Sequence, residues 1–217
     1  MPAPTFSTFL FDLDGTLIDS IDLILSSYRH TLKTHRGLVP SDDVWLAGLG
    51  TPLRAQFSQF TDDPDEIEAM VATYRDHNFE HHDALVREFP GVREAVQALG
   101  DRGARLGVVT SKKREGTLLG LQRCGFDGLF DVLVCADDVA RHKPEPEPVL
   151  RALTSLDAQP KHAVFVGDSP HDLVAGRKAG VATAAVLWGP FPRQMLEPHD
   201  PDFWVAEPSE LTAMGDG

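Results

Sequence analysis

The sequence has few of the features that mark secreted or membrane proteins. Its 217 residues include only two cysteines, Cys124 and Cys135, and these form no C-x-x-C motif. We expect both to be small buried apolar side chains, not catalytic thiols or a disulfide framework. No apolar run approaches the length that spans a bilayer, and Met1–Pro4 has no basic region of the kind that begins a signal peptide. These absences predict a cytoplasmic protein without a membrane partner.

Positive charge is also scarce, because 20 Lys and Arg residues face 33 Asp and Glu residues, giving a formal net charge of −13. This excess of negative charge argues against nucleic acid as a partner. The chain has no P-loop motif. The stretch Gly48-Leu49-Gly50 is no dinucleotide fingerprint, since the third glycine is missing and Pro52 follows. An anionic substrate would therefore have to meet a local cluster of cations.

The most informative stretch is Phe9–Thr16 (FLFDLDGT), in which a short apolar strand runs directly into two carboxylates. Strands of this composition are typical of parallel sheets that are covered on both faces. Asp12 and Asp14 would share one face of an extended chain, and Gly15 permits a close turn after them. Carboxylates at the end of a buried strand need a cation or hydrogen-bond donors to remain charged.

Apolar strands and helices alternate along most of the remaining chain. Strands are predicted near residues 106–109, 132–134, 163–166 and 181–187, with a short edge strand at 203–205. This alternation predicts an α/β fold with a doubly wound parallel sheet and right-handed crossovers. Lys143-Pro144 is expected to begin one of the helices. Ligands of such sheets bind beyond the carboxyl ends of the strands.

The segment between residues 20 and 88 carries apolar residues at helical spacing and no buried-strand pattern. We predict that 20–88 is an inserted all-helical cap domain and that 1–19 and 89–217 form the α/β core domain. The stretch Phe89-Pro90-Gly91 marks the return to the core. Three histidines of the cap segment, His77, His81 and His82, are expected to be surface residues and not metal ligands. No role is assigned to them or to His171.

The Asp12-Leu-Asp14-Gly-Thr motif resembles that of the haloacid dehalogenase-like hydrolase superfamily, in particular its phosphoglycolate phosphatase-like branch with a helical cap. Three further motifs follow in the family's order, at Thr110-Ser111, Lys143-Pro144 and Gly167-Asp168, so the resemblance covers nearly the whole chain. It implies a Rossmann-like core and a Mg²⁺-dependent phosphatase. Such an enzyme hydrolyses a small-molecule phosphomonoester through an aspartyl-phosphate intermediate.

The resemblance also implies individual roles. Asp12 would attack phosphorus, Asp14 would act as general acid and base, and Lys143 would neutralise charge at the phosphoryl group. Asp172 would orient this set. The implied Mg²⁺ ligands are Asp12, the backbone carbonyl of Asp14, and Asp168. The implied phosphate-binding residues are Gly15, Thr110, Ser111 and Lys143, of which Thr110 and Lys143 also count as catalytic.

Several alternatives stay open on the sequence alone. A phosphomutase of the β-phosphoglucomutase type shares all four motifs, and a non-catalytic regulatory protein could use the same scaffold, whereas a dehalogenase is disfavoured by the presence of Asp14. Arg54 lies in a stretch that resembles the substrate loop of related phosphatases. It could clamp a second anionic group of the substrate or be an ordinary exposed arginine. The identity of the substrate and the oligomeric state are not determined.

Overall fold

The structure is a computed structural model and describes residues 6–46, 48–49 and 51–214. The described residues contain eight strands: β1 (Thr8–Phe11), β2 (Ile18–Asp19), β3 (Arg87–Glu88), β4 (Arg105–Val109), β5 (Val132–Val134), β6 (Ala163–Gly167), β7 (Ala182–Val186) and β8 (Phe203–Val205). Six of them form one parallel sheet in the order β5-β4-β1-β6-β7-β8. This Rossmann-like sheet, flanked by helices, confirms the predicted fold class.

The same residues contain nine α-helices, which are α1 (Ile21–Arg36), α2 (Asp42–Leu46), α3 (Leu53–Phe57), α4 (Pro64–Leu85), α5 (Val92–Asp101), α6 (Arg114–Arg123), α7 (Glu147–Ser155), α8 (Pro170–Ala179) and α9 (Arg193–Leu196). Short 3₁₀ turns cover 136–138, 160–162, 197–199 and 208–214. None of the described helices is both long and apolar enough to cross a membrane.

The central strand β1 is buried on both faces because helices cover both sides of the sheet. Phe9 and Phe11 pack in one apolar cluster with residues of α5 and α6. Leu10, which points to the opposite face, packs in a second cluster with residues of α7 and α8. The continuous apolar run that predicted a parallel strand therefore reflects two separate cores, one on each face of the sheet.

A second, two-stranded antiparallel sheet joins β2 to β3, pairing Ile18 with Glu88 and Asp19 with Arg87. These strands flank the long helical segment at its beginning and its end. The sequence analysis missed this sheet because each strand has only two residues and both residues of β3 are exposed, so no apolar alternation marks it. Strand β3 lies inside the predicted cap range of 20–88, and the domain boundaries themselves remain a prediction.

The helical segment has an aromatic core of its own. Tyr28 of α1 stacks on Trp45 of α2 with ring centroids 4.3 Å apart and planes 7° apart, and it also meets Phe57 and Tyr74. Helix α1 packs along α4, which contributes Tyr74. Aromatic pairs of this kind add to the stability gained from burying their surface. The helical spacings in the sequence thus correspond to real helices in this region.

The expected helix at Lys143-Pro144 begins later than predicted, at Glu147. Prolines at positions 144 and 146 explain the difference, because proline lacks an amide hydrogen and disfavours the helical conformation of the residue before it. Lys143 consequently lies in a loop. The two cysteines are free and buried as predicted, and burial raises the pKa of Cys124 to about 11.

Candidate active site

Three buried polar residues lie where neighbouring strands end. Asp12 directly follows β1, Thr110 follows β4, and Asp168 follows β6, and these three strands are adjacent in the sheet. The amide of Asp12 continues the ladder by donating to the carbonyl of Val166 at 2.9 Å. All three side chains are buried. The sheet order therefore brings residues that are far apart in the chain to one edge.

Lys143 is the charge centre of this edge. Its ammonium Nζ lies 2.7 Å from Asp12 Oδ1 and 2.6 Å from Asp172 Oδ1, and its side chain is 1% exposed. A third contact runs to the carbonyl of Val109 at 3.3 Å. Burial alone would lower the pKa of Lys143, but the carboxylates of Asp12 and Asp172 outweigh it and raise that pKa above its ordinary value. The lysine is therefore a firmly charged partner of both carboxylates.

Asp172 is fixed in place by the start of α8. Its Oδ2 accepts a hydrogen bond from the amide of Ser169 at 3.1 Å, and its own amide donates to Ser169 Oγ at 3.3 Å, which together form a capping box. The Ser169 hydroxyl also donates to Asp172 Oδ2 at 2.6 Å. Pro170 occupies the first turn, where a missing amide hydrogen costs nothing. A Cβ at position 167 would lie 2.4 Å from Asp172 Cβ, so only glycine fits there. The helix cap thus also positions Asp172, which is the second carboxylate that Lys143 contacts.

The carboxylate of Asp168 is enclosed by the Thr16 side chain and by the backbone at two glycines. Thr16 Oγ1 donates to its Oδ1 at 2.7 Å, and the Trp188 ring nitrogen in turn donates to the Thr16 carbonyl at 3.0 Å. Its other oxygen, Oδ2, is buried and has no hydrogen-bond donor among the described residues. A Cβ at Gly15, where φ is +87°, would lie 2.6 Å from this oxygen, and a Cβ at Gly189 would lie 2.4 Å from Asp168 Cβ. The two glycines allow the chain to close around the carboxylate.

The buried cluster carries more negative than positive charge. Carboxylate oxygens of Asp12, Asp168 and Asp172 lie within 4.8 Å of one another, and with all three carboxyl groups ionised against one ammonium the formal net charge is −2. Burial and the charge of Asp172 raise the pKa of Asp12 to about 7, although Lys143 opposes the shift. Burial, Asp172 and Asp12 likewise raise the pKa of Asp168. A divalent cation would balance this negative charge. The Oδ2 atom of Asp168, which has no hydrogen-bond partner in the described part of the chain, is the kind of oxygen ligand that such an ion needs.

Asp14 has a separate environment from Asp12. Its Oδ1 accepts a hydrogen bond from the Ser20 hydroxyl at 2.5 Å and lies 2.8 Å from Lys112 Nζ. The sequence analysis assigned no role to Ser20 or Lys112. The signal for Lys112 was the pair of lysines directly after Thr110-Ser111, at the end of a predicted strand. The two carboxylates of the motif therefore contact different lysines, Asp12 with Lys143 and Asp14 with Lys112.

A cavity of about 350 Å³ lies over this edge. Both the sheet edge and the helical segment line it, and the latter contributes residues 51–54 of the loop before α3 and its first turn, and Arg75 of α4. The hydroxyl of Ser111 is buried without a partner among the described residues, which leaves it available to a ligand. Thr110 Oγ1 accepts from the amide of Lys112 at 3.0 Å.

Gly15 and Arg54 are predicted site residues whose side chains or amides are not directed at the buried carboxylate cluster in the structure. The amide of Gly15 donates to the carbonyl of Ile18 at 2.9 Å, so the glycine contributes its conformation and its lack of a side chain in the structure. Arg54 lines the cavity but is 66% exposed and pairs with Glu68. His171 is partly buried, and burial lowers its pKa. The functional roles of Gly15 and Arg54 remain predictions, and His171 has no assigned role.

Comparison with known proteins agrees with this geometry. The sequence model of the haloacid dehalogenase-like hydrolase family matches residues 9–186. The chain belongs to this family. Pyrophosphatase PpaX of Bacillus cereus (strain G9842) is 44% identical over 205 residues, which cover 94% of each chain. Pyrophosphatase PpaX of Anoxybacillus flavithermus is 41% identical over 208 residues, covering 96% of each chain.

Solved structures give the same result. A haloacid dehalogenase-like hydrolase from Bacteroides fragilis superposes with a TM-score of 0.89 at 29% identity, covering 95% of this chain and 100% of the other. A predicted phosphoglycolate phosphatase from Haemophilus somnus 129PT gives a TM-score of 0.83 at 25% identity, covering 95% and 96%. The protein is therefore an enzyme of this hydrolase family, and its relatives place it among the phosphohydrolases.

The enclosure of Asp168 generates a prediction about Gly15. We expect Gly15→Ala to lower the free energy of unfolding by about 3–5 kcal/mol, because it adds overpacking against Asp168 to the strain of a positive φ. The matched control is Gly103→Ala, since Gly103 has a φ of +84° and no atom lies within 4 Å of the position that its Cβ would take. That control should cost about 1–2 kcal/mol. Equal losses in chemical denaturation would mean that Asp168 yields freely to a side chain at position 15.

Proposed function

We propose that this enzyme is a Mg²⁺-dependent phosphohydrolase that acts on a small phosphorylated molecule through an aspartyl-phosphate on Asp12, with inorganic pyrophosphate as the best candidate substrate. The observation that carries the proposal is the pairing of Asp12 with buried Lys143 at the base of a cavity, beside the unpartnered oxygen of Asp168. A carboxylate nucleophile needs no base to activate it, because its ionised form is the attacking species.

In the first step, a carboxylate oxygen of Asp12 would form a bond to phosphorus while the bond from phosphorus to the leaving oxygen breaks. The electron pair of that bond goes to the leaving group, and Asp14 supplies a proton where the leaving group needs one. Lys143 would offset the negative charge next to the phosphoryl oxygens, and the free hydroxyl of Ser111 would donate to one of them. In the second step, Asp14 would take a proton from the water that attacks phosphorus, which releases phosphate and restores Asp12.

Mg²⁺ is the metal that suits the donor set. Asp12 and Asp168 offer hard carboxylate oxygens, and the backbone carbonyl of Asp14 is the third ligand that the family resemblance implies. When bound, the ion would lower the repulsion between the anionic substrate and the carboxylates. Asp172 is fully engaged by Lys143 and Ser169, which favours a role in positioning over direct ligation.

Pyrophosphate is favoured over other phosphorylated molecules by two observations. The relatives that are 41–44% identical over more than nine-tenths of both chains are named pyrophosphatases. The cavity also brings several cations to the catalytic carboxylates, namely Arg54, Arg75 and Lys112 in addition to Lys143. These cations offset part of the negative charge that the carboxylates bring to the cavity, in a chain of net charge −13. Phosphomonoesters such as phosphoglycolate, which the sequence analysis favoured, remain the second class to test.

The first test is replacement of the nucleophile. Asp12→Asn should lower kcat for phosphate release from pyrophosphate and from p-nitrophenyl phosphate by at least about 1000-fold, because an amide cannot form the acyl phosphate. Borohydride reduction of acid-quenched wild-type enzyme should modify the peptide that carries Asp12. The control Asp22→Asn makes the same change at an exposed site of α1 and should retain activity. Full activity in Asp12→Asn would overturn the proposal, and conversion of a hexose 1-phosphate into its 6-phosphate would identify a phosphomutase instead.

The second test concerns the metal. Chelation with EDTA should abolish phosphate release and added Mg²⁺ should restore it. Independently of activity, Mg²⁺ at 100 times its dissociation constant should stabilise the folded enzyme by about 2.7 kcal/mol. Asp168→Asn should remove most of this stabilisation, which thermal unfolding with and without Mg²⁺ measures, whereas Asp22→Asn should keep it. A stabilisation that survives in Asp168→Asn would place the ion elsewhere.

The third test concerns Arg54 as a clamp for a second anionic group. Arg54→Ala should raise KM about tenfold for pyrophosphate and for phosphoglycolate, in line with the loss of one charge-assisted contact. The KM for p-nitrophenyl phosphate should change much less, because that substrate has no second anion. Arg36→Ala is the control, since Arg36 pairs with Glu66 on the helical segment and does not line the cavity. Equal changes in KM for all three substrates would reject the clamp.

A further inference from the structure

Lys112 is held far more firmly than an ordinary surface lysine. Its amide donates to Thr110 Oγ1 at 3.0 Å, and its carbonyl accepts from the amide of Ala136 at 2.9 Å, so the backbone is fixed on both sides. The side chain is only 14% exposed. A Cβ at Gly116 would lie 3.1 Å from Lys112 Cε, which shows that the lysine stem runs close over that glycine in the first turn of α6.

The ammonium group of Lys112 contacts the Asp14 carboxylate, which also has a second hydrogen-bond partner. Asp14 Oδ1 lies 2.8 Å from Lys112 Nζ and also accepts the Ser20 hydroxyl at 2.5 Å. If the ammonium turned away, Asp14 would keep the hydrogen bond from Ser20. The pair therefore differs from the buried contact of Lys143 with Asp12, where the lysine is almost fully enclosed. Lys112 and Asp14 both line the cavity, so a ligand can reach them.

The position of Asp14 locates the leaving group, provided that the proposed function holds. A residue that delivers a proton to the leaving oxygen has to lie within hydrogen-bond reach of it, about 3 Å. Because Lys112 contacts the same carboxylate, its ammonium lies next to the leaving group. When pyrophosphate is cleaved, the leaving group is a phosphate that departs with negative charge. When an alkyl phosphate is cleaved, the leaving group is an alcohol without charge.

We propose that Lys112 is a specificity-determining residue that turns from Asp14 to the leaving phosphoryl group and thereby favours substrates whose leaving group is anionic. Its role differs from that of Arg54, which reaches the cavity from the helical segment and would contact any second anion, including the carboxylate of phosphoglycolate. Lys112 would act on charge directly attached to the leaving oxygen. The inference rests on the proposed function, in which Asp12 attacks and Asp14 faces the leaving group.

The test compares Lys112→Met with Lys113→Met. Lys113 borders the same cavity, but its side chain is exposed and it has no carboxylate partner within the described part of the chain. We expect Lys112→Met to lower the ratio of kcat/KM for pyrophosphate to kcat/KM for glycerol 3-phosphate, an alkyl phosphate whose leaving group is an uncharged alcohol, by about 30- to 100-fold, as expected for one desolvated charge contact. Lys113→Met should change this ratio less than threefold, and Lys112→Arg should recover most of it. Thermal unfolding checks that each variant is folded.

A second readout uses binding instead of turnover. Methylenediphosphonate, which cannot be hydrolysed, and orthophosphate are measured as inhibitors of p-nitrophenyl phosphate hydrolysis. Lys112→Met should raise the inhibition constant of the diphosphonate at least tenfold more than that of orthophosphate. Equal losses for both substrates and both inhibitors would reduce Lys112 to a structural support of Asp14 and overturn the inference. Asp12→Asn tests the proposed function separately, because it should abolish hydrolysis of both substrates alike.

Discussion

The site depends on one buried ammonium. Lys143 is held within hydrogen-bond distance of Asp12 and Asp172, and no more than a tenth of any of these three side chains is exposed. Charges removed from water are tolerated only when they are paired, and removing one partner of a buried pair costs about 3–5 kcal/mol. The lysine therefore fixes the end of β1, the loop before α7 and the start of α8 relative to one another. Nucleophile placement and local stability come from the same contact.

The sheet supplies the geometry in which this contact forms. Because β1 lies between β4 and β6 in parallel orientation, the residues that follow all three strands meet at one edge. The helix dipole and cap of α8 then hold Asp172, and two glycines leave room for Asp168. The resulting cluster has a formal net charge of −2 when its carboxyl groups are ionised, which is the physical reason why a divalent cation suits it.

The helical segment completes the cavity and adds cations to it. Its aromatic core around Tyr28 and Trp45 belongs to an apolar cluster that also includes Ala185 of β7 and Leu173 of α8, so residues 51–54 are presented to the site by a support that is anchored on the sheet. The two motif carboxylates have different lysine partners, Lys143 for Asp12 and Lys112 for Asp14. In the proposed reaction, one lysine faces the phosphoryl group that is transferred and the other faces the group that leaves.

The sequence by itself determined the fold class, the positions of the main strands along the chain and the residues at their carboxyl ends, because apolar periodicity and strand–turn motifs are local properties. It did not reveal the two-residue strands β2 and β3, and it began α7 too early, because short exposed strands leave no apolar pattern and a proline-rich stretch resembles a helix start. Only the tertiary structure decided that Lys112 contacts Asp14, 98 positions away, and that one oxygen of Asp168 is left without a donor among the described residues. Such partnerships depend on which loops meet in space, and no spacing along the chain encodes that.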